Sequence, residues 1–167
     1  MAENSTTTKP VIAIVPGSFS NASSYYALID KIQALGFEAY VNNLPSTIRH
    51  PPEEPASLDD DTRFFRGIFE KLADQGKDIV VAMHSYGGLV GSEAVKGVAK
   101  ADRQAAGKHG GVVKLIYVTA TVLPVGWSMK TESGDPPAGL VEIDKVRSNL
   151  LLVKDLIALG LLAFMMC

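Results

Sequence analysis

A serine followed closely by two glycines is the part of this sequence that most directly suggests chemistry. Ser85 belongs to the pentapeptide His84–Gly88 (HSYGG), which begins two residues after the apolar run Ile79–Ala82. Such a run is typical of a strand buried on both faces, and the glycines allow a helix to begin close to the strand end. A serine on this turn can stand above the sheet edge and attack a carbonyl carbon. Met83 occupies a position where these turns usually have glycine, and the alternative is a simple strand–helix connection.

A second glycine-containing turn follows the first apolar run of the chain. Val11–Val15 is predicted to be a buried strand and leads into Pro16–Phe19 (PGSF). If the serine attacks a carbonyl group, the carbonyl oxygen gains negative charge that backbone N–H groups must stabilise. We expect these donors to be Ser18 and Tyr86, with Phe19 beside them in contact with a substrate. The alternatives are a glycine turn that begins a helix and a phosphate-binding loop, although the lysine and the glycine spacing of such loops are missing.

These two turns must be positioned by the elements around them, and apolar runs alternate with amphipathic segments along the chain. The predicted strands are residues 11–15, 37–43, 78–83 and 112–119, with a helical pattern between successive strands. Strands separated by helices pair in parallel, because a crossover helix returns the chain to the same edge of the sheet. The sequence therefore predicts an α/β fold with a doubly wound parallel sheet of about four strands, in a core that spans residues 10–130.

The segments around the serine turn give more detailed expectations. Leu44–Ala56 contains four prolines and is predicted to lack regular structure. One helix is predicted over Tyr86–Lys100. The helix before the third strand has a capping signal at Ser57 and Asp60. Its predicted buried stripe consists of Phe64, Ile68 and Leu72, with Phe65 and Phe69 beside it.

The two ends of the chain differ in composition. Residues 1–9 are polar and are predicted to form a disordered lead-in, whereas residues 131–167 are predicted to form a cap-like loop and an apolar C-terminal helix. Leu156–Cys167 is apolar throughout, but about 20 apolar residues are needed to cross a membrane. A buried or interfacial helix is therefore favoured over a membrane tail anchor.

Charge and composition exclude several classes of function. The formal net charge of -2 provides no positive field for nucleic acid. His50, His84 and His109 are not spaced like a metal-ligand set, so we expect no metal, and we expect no cofactor. The one cysteine, Cys167, cannot form an internal disulfide, which favours a cytoplasmic protein. The sequence contains no indication of the oligomeric state.

The two turns and the order of elements together resemble the α/β-hydrolase superfamily. The similarity is greatest to the small single-domain branch that includes plant methylesterases, hydroxynitrile lyases and related fungal hydrolases. It covers roughly residues 10–130 and includes Ile116–Pro124 (IYVTATVLP), which is similar to the strand that leads into the family's cap. Ser20 stands where the plant enzymes tend to have a histidine, so their substrates cannot be transferred to this chain.

The resemblance implies a function. It implies a serine hydrolase of a carboxylic ester or a related small acyl metabolite, with Ser85 as nucleophile, and the fungal relatives point towards secondary metabolism. The family's catalytic acid and histidine follow two further strands, and this chain ends before either. We therefore expect a C-terminally truncated protein that is a weak or inactive hydrolase.

The histidines within the chain offer few substitutes for the missing base. His84 adjoins the serine and is predicted to pack away from its hydroxyl, and His109 is predicted at the opposite edge of the sheet. His50 lies after the second strand, on the correct edge, and is the alternative base. Asp135 is the alternative acid.

Two other classes of function stay open from the sequence. One is a non-catalytic remnant that binds a ligand or a partner, or has no activity. A nucleotide-binding, flavodoxin-like domain would share the predicted alternation of strands and helices.

Overall fold

The computed structural model describes residues 9–127, 142–143 and 151–152. It divides into two compact units. The first contains residues up to 48 together with residues 56–122, and the second contains residues 49–55 and those from 123 onwards.

The first unit is built on four parallel strands. These are β1 (Val11–Val15), β2 (Ala39–Val41), β3 (Asp78–His84) and β4 (Gly111–Val118), in the order β2-β1-β3-β4. From β1 the chain winds first to β2 on one side and then to β3 on the other. The carboxyl ends of β1 and β3 therefore flank a topological switch point, where α/β sheets bind their ligands.

Helices cover both faces of this sheet, because successive side chains of a strand point to opposite faces. In β1, Val11, Ala13 and Val15 belong to the larger core cluster, which also contains residues of the helix between β2 and β3. Ile14 belongs to a second cluster with Ile29 of the helix that follows β1. The predicted doubly wound parallel sheet is confirmed. The helices are α1 (Tyr26–Ala34), α2 (Pro45–Ile48), α3 (Leu58–Asp74), α4 (Gly87–Ala94) and α5 (Lys100–Ala105), with a 3-10 turn at Ala22–Tyr25.

Helix α3 has the predicted cap, but the predicted buried stripe is partly wrong. The Ser57 side chain accepts the N–H of Asp60, and the Asp60 carboxylate accepts the N–H of Ser57. Phe65 is buried, as are Phe69 and Leu72, whereas Phe64 is 41% exposed. Adjacent positions on a helix are about 100° apart, so both phenylalanines of the pair cannot face the core.

Two further expectations about local structure are wrong. Within Leu44–Ala56, α2 is a regular helical turn that begins at Pro45, a residue suited to the first position of a helix. The single helix predicted over Tyr86–Lys100 is divided into α4 and α5. Gly97 lies between them with φ +78°, a left-handed conformation that ends helices.

The second unit contains two short strands. β5 (Glu142–Ile143) and β6 (Leu151–Leu152) pair antiparallel. Within the proline-containing segment, Arg49 forms an ion pair with Glu53 at 3.6 Å. Of the lead-in predicted at residues 1–9, only Lys9 is described, and its ammonium donates to the carbonyl of Leu35 at 2.9 Å. The apolar helix predicted for the last 15 or so residues lies outside the described residues.

Candidate active site

Ser85 lies on the sharp turn between β3, which ends at His84, and α4, which begins at Gly87. Its φ is +52°, in the left-handed region that side chains other than glycine rarely adopt. Such backbone strain concentrates at functional sites. The turn therefore has the geometry of a nucleophile elbow.

The two glycines after the serine are required by close backbone approaches. A methyl group on Gly87 would lie 2.5 Å from the carbonyl oxygens of both Val15 and Pro16. A methyl group on Gly88 would overlap the carbonyl oxygen of Thr121. The start of α4 thus fits between the chain segments that follow β1 and β4, and no larger residue can be accommodated there.

Met83, the departure from the usual glycine of this turn, is accommodated by a glycine on the helix. The Met83 side chain is fully buried, and a methyl group on Gly91 would lie 2.5 Å from its sulfur and 2.7 Å from its Cγ. A small residue is therefore still present where β3 and α4 are in contact, but this residue is Gly91 of α4 and not a glycine at position 83 of β3.

The loop after β1 lies against the serine. A methyl group on Gly17 would be 3.0 Å from the Ser85 Cβ, so the two residues are in direct contact. Ser18 follows Gly17 and is exposed, and Phe19 is 59% exposed with φ +59°. Among the described residues of the first unit, 9–48 and 56–122, the backbone N–H groups of Ser18 and Tyr86 donate to no carbonyl or side chain. Both of the expected oxyanion donors are thus unengaged beside the serine turn.

A hydrogen-bonded pair that the sequence did not reveal connects the loop after β1 to the serine turn. The N–H of Gly17 donates to the Tyr25 hydroxyl at 3.2 Å, and that hydroxyl lies 2.9 Å from Nδ1 of His84. Since the hydroxyl accepts from Gly17, its own proton is available to Nδ1. His84 therefore has a packing and hydrogen-bonding role in the described structure. Its ring is directed to Tyr25, a residue 59 positions away in the sequence.

The residue on the other side of the serine is held in a similar way. The Tyr86 hydroxyl donates to Oδ2 of Asp61 at 3.1 Å, and Asp61 is fully buried at the start of α3. The same carboxylate accepts the N–H of Ser46 at 2.9 Å and its hydroxyl at 2.6 Å. Burial, and then the negative charge of Asp61, raises the pKa of Tyr86 well above its usual range. Tyr86 is therefore a neutral hydrogen-bond donor whose position is fixed.

The last residue of β4 and the segment after it hold the backbone of the serine itself. The N–H of Ser85 donates to the carbonyl of Val118 at 3.4 Å, and the carbonyl of Ser85 accepts the N–H of Thr121 at 3.0 Å. The serine is thus fixed through its own backbone as well as through both neighbouring side chains. An ordered site of this kind loses little conformational freedom on binding a ligand.

The structure places no base beside the serine within the first unit. Among residues 9–48 and 56–122, no group hydrogen-bonds the Ser85 hydroxyl. His109 precedes β4, at the opposite end of the sheet, and its carbonyl accepts from Arg103. His50 belongs to the second unit, and Asp135 lies outside the described residues.

The remaining predictions concern metals and membranes. In the described part of the chain, no group of three or more histidine, cysteine, aspartate or glutamate side chains could hold a metal ion. No helix among the described residues combines the length and the apolar character needed to cross a membrane.

Sequence comparison connects this site to known proteins. A model of the alpha/beta hydrolase family matches residues 12–163. The chain is 36% identical to the alpha/beta hydrolase nvfD of Aspergillus novofumigatus over 121 residues, which cover 72% of this chain and 47% of that protein. It is 32% identical to the probable hydrolase R7 of a Phoma species over 127 residues, covering 76% of this chain and 49% of that protein. The chain thus spans about half the length of these relatives.

Solved structures with a similar fold are also hydrolases. A pyrethroid hydrolase from Sphingobium faniae superposes with a TM-score of 0.56 at 20% identity, over 81% of this chain and 52% of that one. An extracellular alpha/beta-hydrolase from a Paenibacillus species superposes with a TM-score of 0.52 at 14% identity, over 70% of this chain and 43% of that one. At these identities the likeness establishes the fold alone.

Proposed function

The chain belongs to the alpha/beta hydrolase family, and from this premise we propose that Ser85 is the nucleophile of a hydrolase acting on a carboxylic ester or a related small acyl compound. The observation that carries the proposal is the strained serine turn, with a loop N–H and a turn N–H unengaged beside it. The substrate proposed here is a small secondary metabolite, as the resemblance to fungal hydrolases implies.

The proposed reaction assigns a role to each of these groups. The Ser85 oxygen attacks the carbonyl carbon while a base takes the hydroxyl proton, and the N–H groups of Ser18 and Tyr86 stabilise the resulting oxyanion. The bond to the alcohol oxygen then breaks, and the alcohol leaves with the proton. Water hydrolyses the acyl-serine by the same route. Phe19, exposed next to Ser18, contacts an apolar part of the substrate.

The missing partner in this scheme is the base. Serine is a poor nucleophile at neutral pH without one, and loss of the base costs on the order of 10⁶ in kcat in a serine hydrolase. An oxyanion site and substrate binding alone retain about 10³ to 10⁴ over water. Because the first unit supplies no base to Ser85, we expect feeble hydrolysis of simple esters by this chain.

Chemical rescue tests the proposal without requiring a resident base. Imidazole added to the assay can accept the Ser85 proton, so p-nitrophenyl acetate turnover by the protein should rise with imidazole concentration above the rate of imidazole alone. The rise should disappear in Ser85→Ala and persist in Ser23→Ala, an exposed serine in the turn before α1. An equal rate in Ser85→Ala and the unchanged protein would refute a nucleophilic role for Ser85.

One alternative has an observation in its favour. The absence of a base beside Ser85 in the first unit is also expected of a protein that binds an acyl compound without cleaving it. In that case the unchanged protein binds p-nitrophenyl acetate but shows no imidazole-dependent turnover. His50→Ala provides a further comparison, because loss of turnover in this folded variant would identify His50 as the base.

A further inference from the structure

Strained backbone is concentrated at one edge of the sheet. Within the described residues, three residues other than glycine have positive φ: Phe19 at +59°, Ser85 at +52° and Thr119 at +42°. They lie beyond the carboxyl ends of β1, β3 and β4 respectively. The first two belong to the proposed reaction, whereas Thr119 has no role in it. A β-branched residue in this region is an outlier, because its Cβ crowds the backbone.

The hydrogen bonds of the serine show why the chain at Thr119 is distorted. In a regular parallel ladder, the N–H of a residue donates to a carbonyl on the neighbouring strand. The carbonyl of the same residue accepts from an N–H that lies two positions further along that neighbouring strand. Ser85 donates to Val118 and accepts from Thr121, three positions further along. One extra residue is therefore inserted opposite Ser85, which is a β-bulge. Bulges beside active sites change the direction of a side chain.

The residue type at this bulge is unexpected on backbone grounds. A left-handed position in a bulge is best occupied by glycine, which has no Cβ to crowd the backbone. Thr119 has an exposed side chain, and among residues 9–48 and 56–122 its hydroxyl hydrogen-bonds to no other group. Neither burial nor an internal hydrogen bond accounts for a threonine here, and its exposed hydroxyl is available to a polar ligand.

The sheet order determines which part of a ligand Thr119 can meet. Because β3 lies between β1 and β4, Gly17 and Thr119 flank Ser85 on opposite sides. The proposed oxyanion donor Ser18 is on the β1 side. A carbonyl group that directs its oxygen to that side extends its other substituents towards β4.

We propose that Thr119 is a specificity-determining residue whose hydroxyl hydrogen-bonds a polar substituent, a hydroxyl or a carbonyl, on the acyl or the alcohol part of the ester. This inference rests on the proposed function, since it assumes that the reacting carbonyl lies at Ser85. It deepens that function by favouring esters with a polar group near the reacting carbonyl.

The test measures binding in a Ser85→Ala background, in which the proposed chemistry is removed. Phenyl acetate is compared with phenyl glycolate, which adds a hydroxyl on the acyl side, and with 3-hydroxyphenyl acetate, which adds one on the alcohol side. A neutral hydrogen bond corresponds to a preference of about three- to tenfold for one hydroxylated ester. Chemical-shift titration gives the dissociation constants and shows which side of the ester is recognised.

Substitutions at Thr119 separate recognition from a merely structural role. Thr119→Val, nearly the same shape without the hydroxyl, should abolish the preference, and Thr119→Ser should retain it. Thr119→Gly should also abolish it, yet raise the melting temperature by about 2–4 °C because the strain is relieved. Equal affinity for all three esters, or a preference that survives in Thr119→Val, overturns the inference.

Failure of the proposed function gives a different result. Absence of Ser85-dependent turnover of phenyl acetate in imidazole, with the binding preference intact, refutes the reaction and leaves recognition by Thr119 standing. Turnover without any binding preference refutes the role of Thr119 and leaves the reaction standing.

Discussion

The pairing of Met83 with Gly91 predicts a substitution whose effect changes sign with its background. In the unchanged protein, Gly91→Ala places a methyl group 2.5 Å from the sulfur of a fully buried methionine. Inserting a methyl group into a packed core typically costs about 1–3 kcal/mol, and replacing glycine by alanine within a helix returns about 1 kcal/mol. The net loss in the free energy of unfolding should therefore lie between about 0 and 2 kcal/mol.

In the Met83→Ala background the same substitution should be stabilising. Met83→Ala alone should cost about 2–5 kcal/mol, because it leaves a cavity between β3 and α4. A methyl group on Gly91 then enters space that the sulfur has vacated, and the helical gain of about 1 kcal/mol remains. The double-mutant cycle should give a coupling of about 1–3 kcal/mol between the two positions.

Urea unfolding followed by far-UV circular dichroism measures all four proteins of the cycle. Gly67→Ala is the matched control, because it lies within α3 with no atom within 4 Å of an added methyl group. It should stabilise both backgrounds equally, by about 0.5–1 kcal/mol. If Gly91→Ala has the same effect with and without the methionine side chain, the packing explanation for Met83 is wrong.

Three further predictions concern the hydrogen bonds around the serine. Tyr25→Phe leaves the Gly17 N–H without its acceptor and should lower the free energy of unfolding, measured by urea unfolding, by about 1–2 kcal/mol. Tyr26→Phe is the control and should have no effect, because Tyr26 is 55% exposed. The raised pKa of Tyr86 means that the folded state retains the phenol proton more strongly than the unfolded state, so the stability that Tyr86 confers is complete below about pH 10 and declines above it. The free energy of unfolding, measured from below to above about pH 10, should therefore decline less in Tyr86→Phe than in the unchanged protein. An equal decline in both proteins would contradict the assignment. Gly88→Ala should lower the free energy of unfolding by about 1–3 kcal/mol and abolish the imidazole-dependent turnover, because its methyl group displaces the Thr121 segment that holds the serine backbone. A stable variant with full turnover would show that this contact is not required.

The fold and the place of the serine turn follow from patterns that are local in the sequence. Buried parallel strands read as continuous apolar runs, and the amphipathic segments between them require parallel crossovers, so the sheet could be predicted and is confirmed. The choice between Phe64 and Phe65 for the core could not be made. A wide apolar stripe does not define the rotation of a helix, which depends on what packs against it.

The hydrogen bonds that fix the turn could not be predicted from the sequence, because they join residues that are distant in it. Nothing local in the sequence indicates that the Tyr25 hydroxyl connects the loop after β1 to His84. Asp61 lies in a run of acidic residues at the start of α3, yet it is fully buried between Ser46 and Tyr86. A run of three acidic residues at a helix start gives no sign of which member turns inward.

The backbone hydrogen bonds from Val118 and Thr121 to Ser85 also have a consequence for biosynthesis. A ribosome adds the serine long before it adds the residues that hold the serine in place, since β4 is the last to be made of the four strands described in this sheet. While the nascent chain ends before residue 121, the turn lacks one of the bonds that maintain its left-handed conformation. The serine should therefore gain its final geometry only after β4 has left the exit tunnel, and a pause in translation before that point would expose an unfinished sheet edge to other chains.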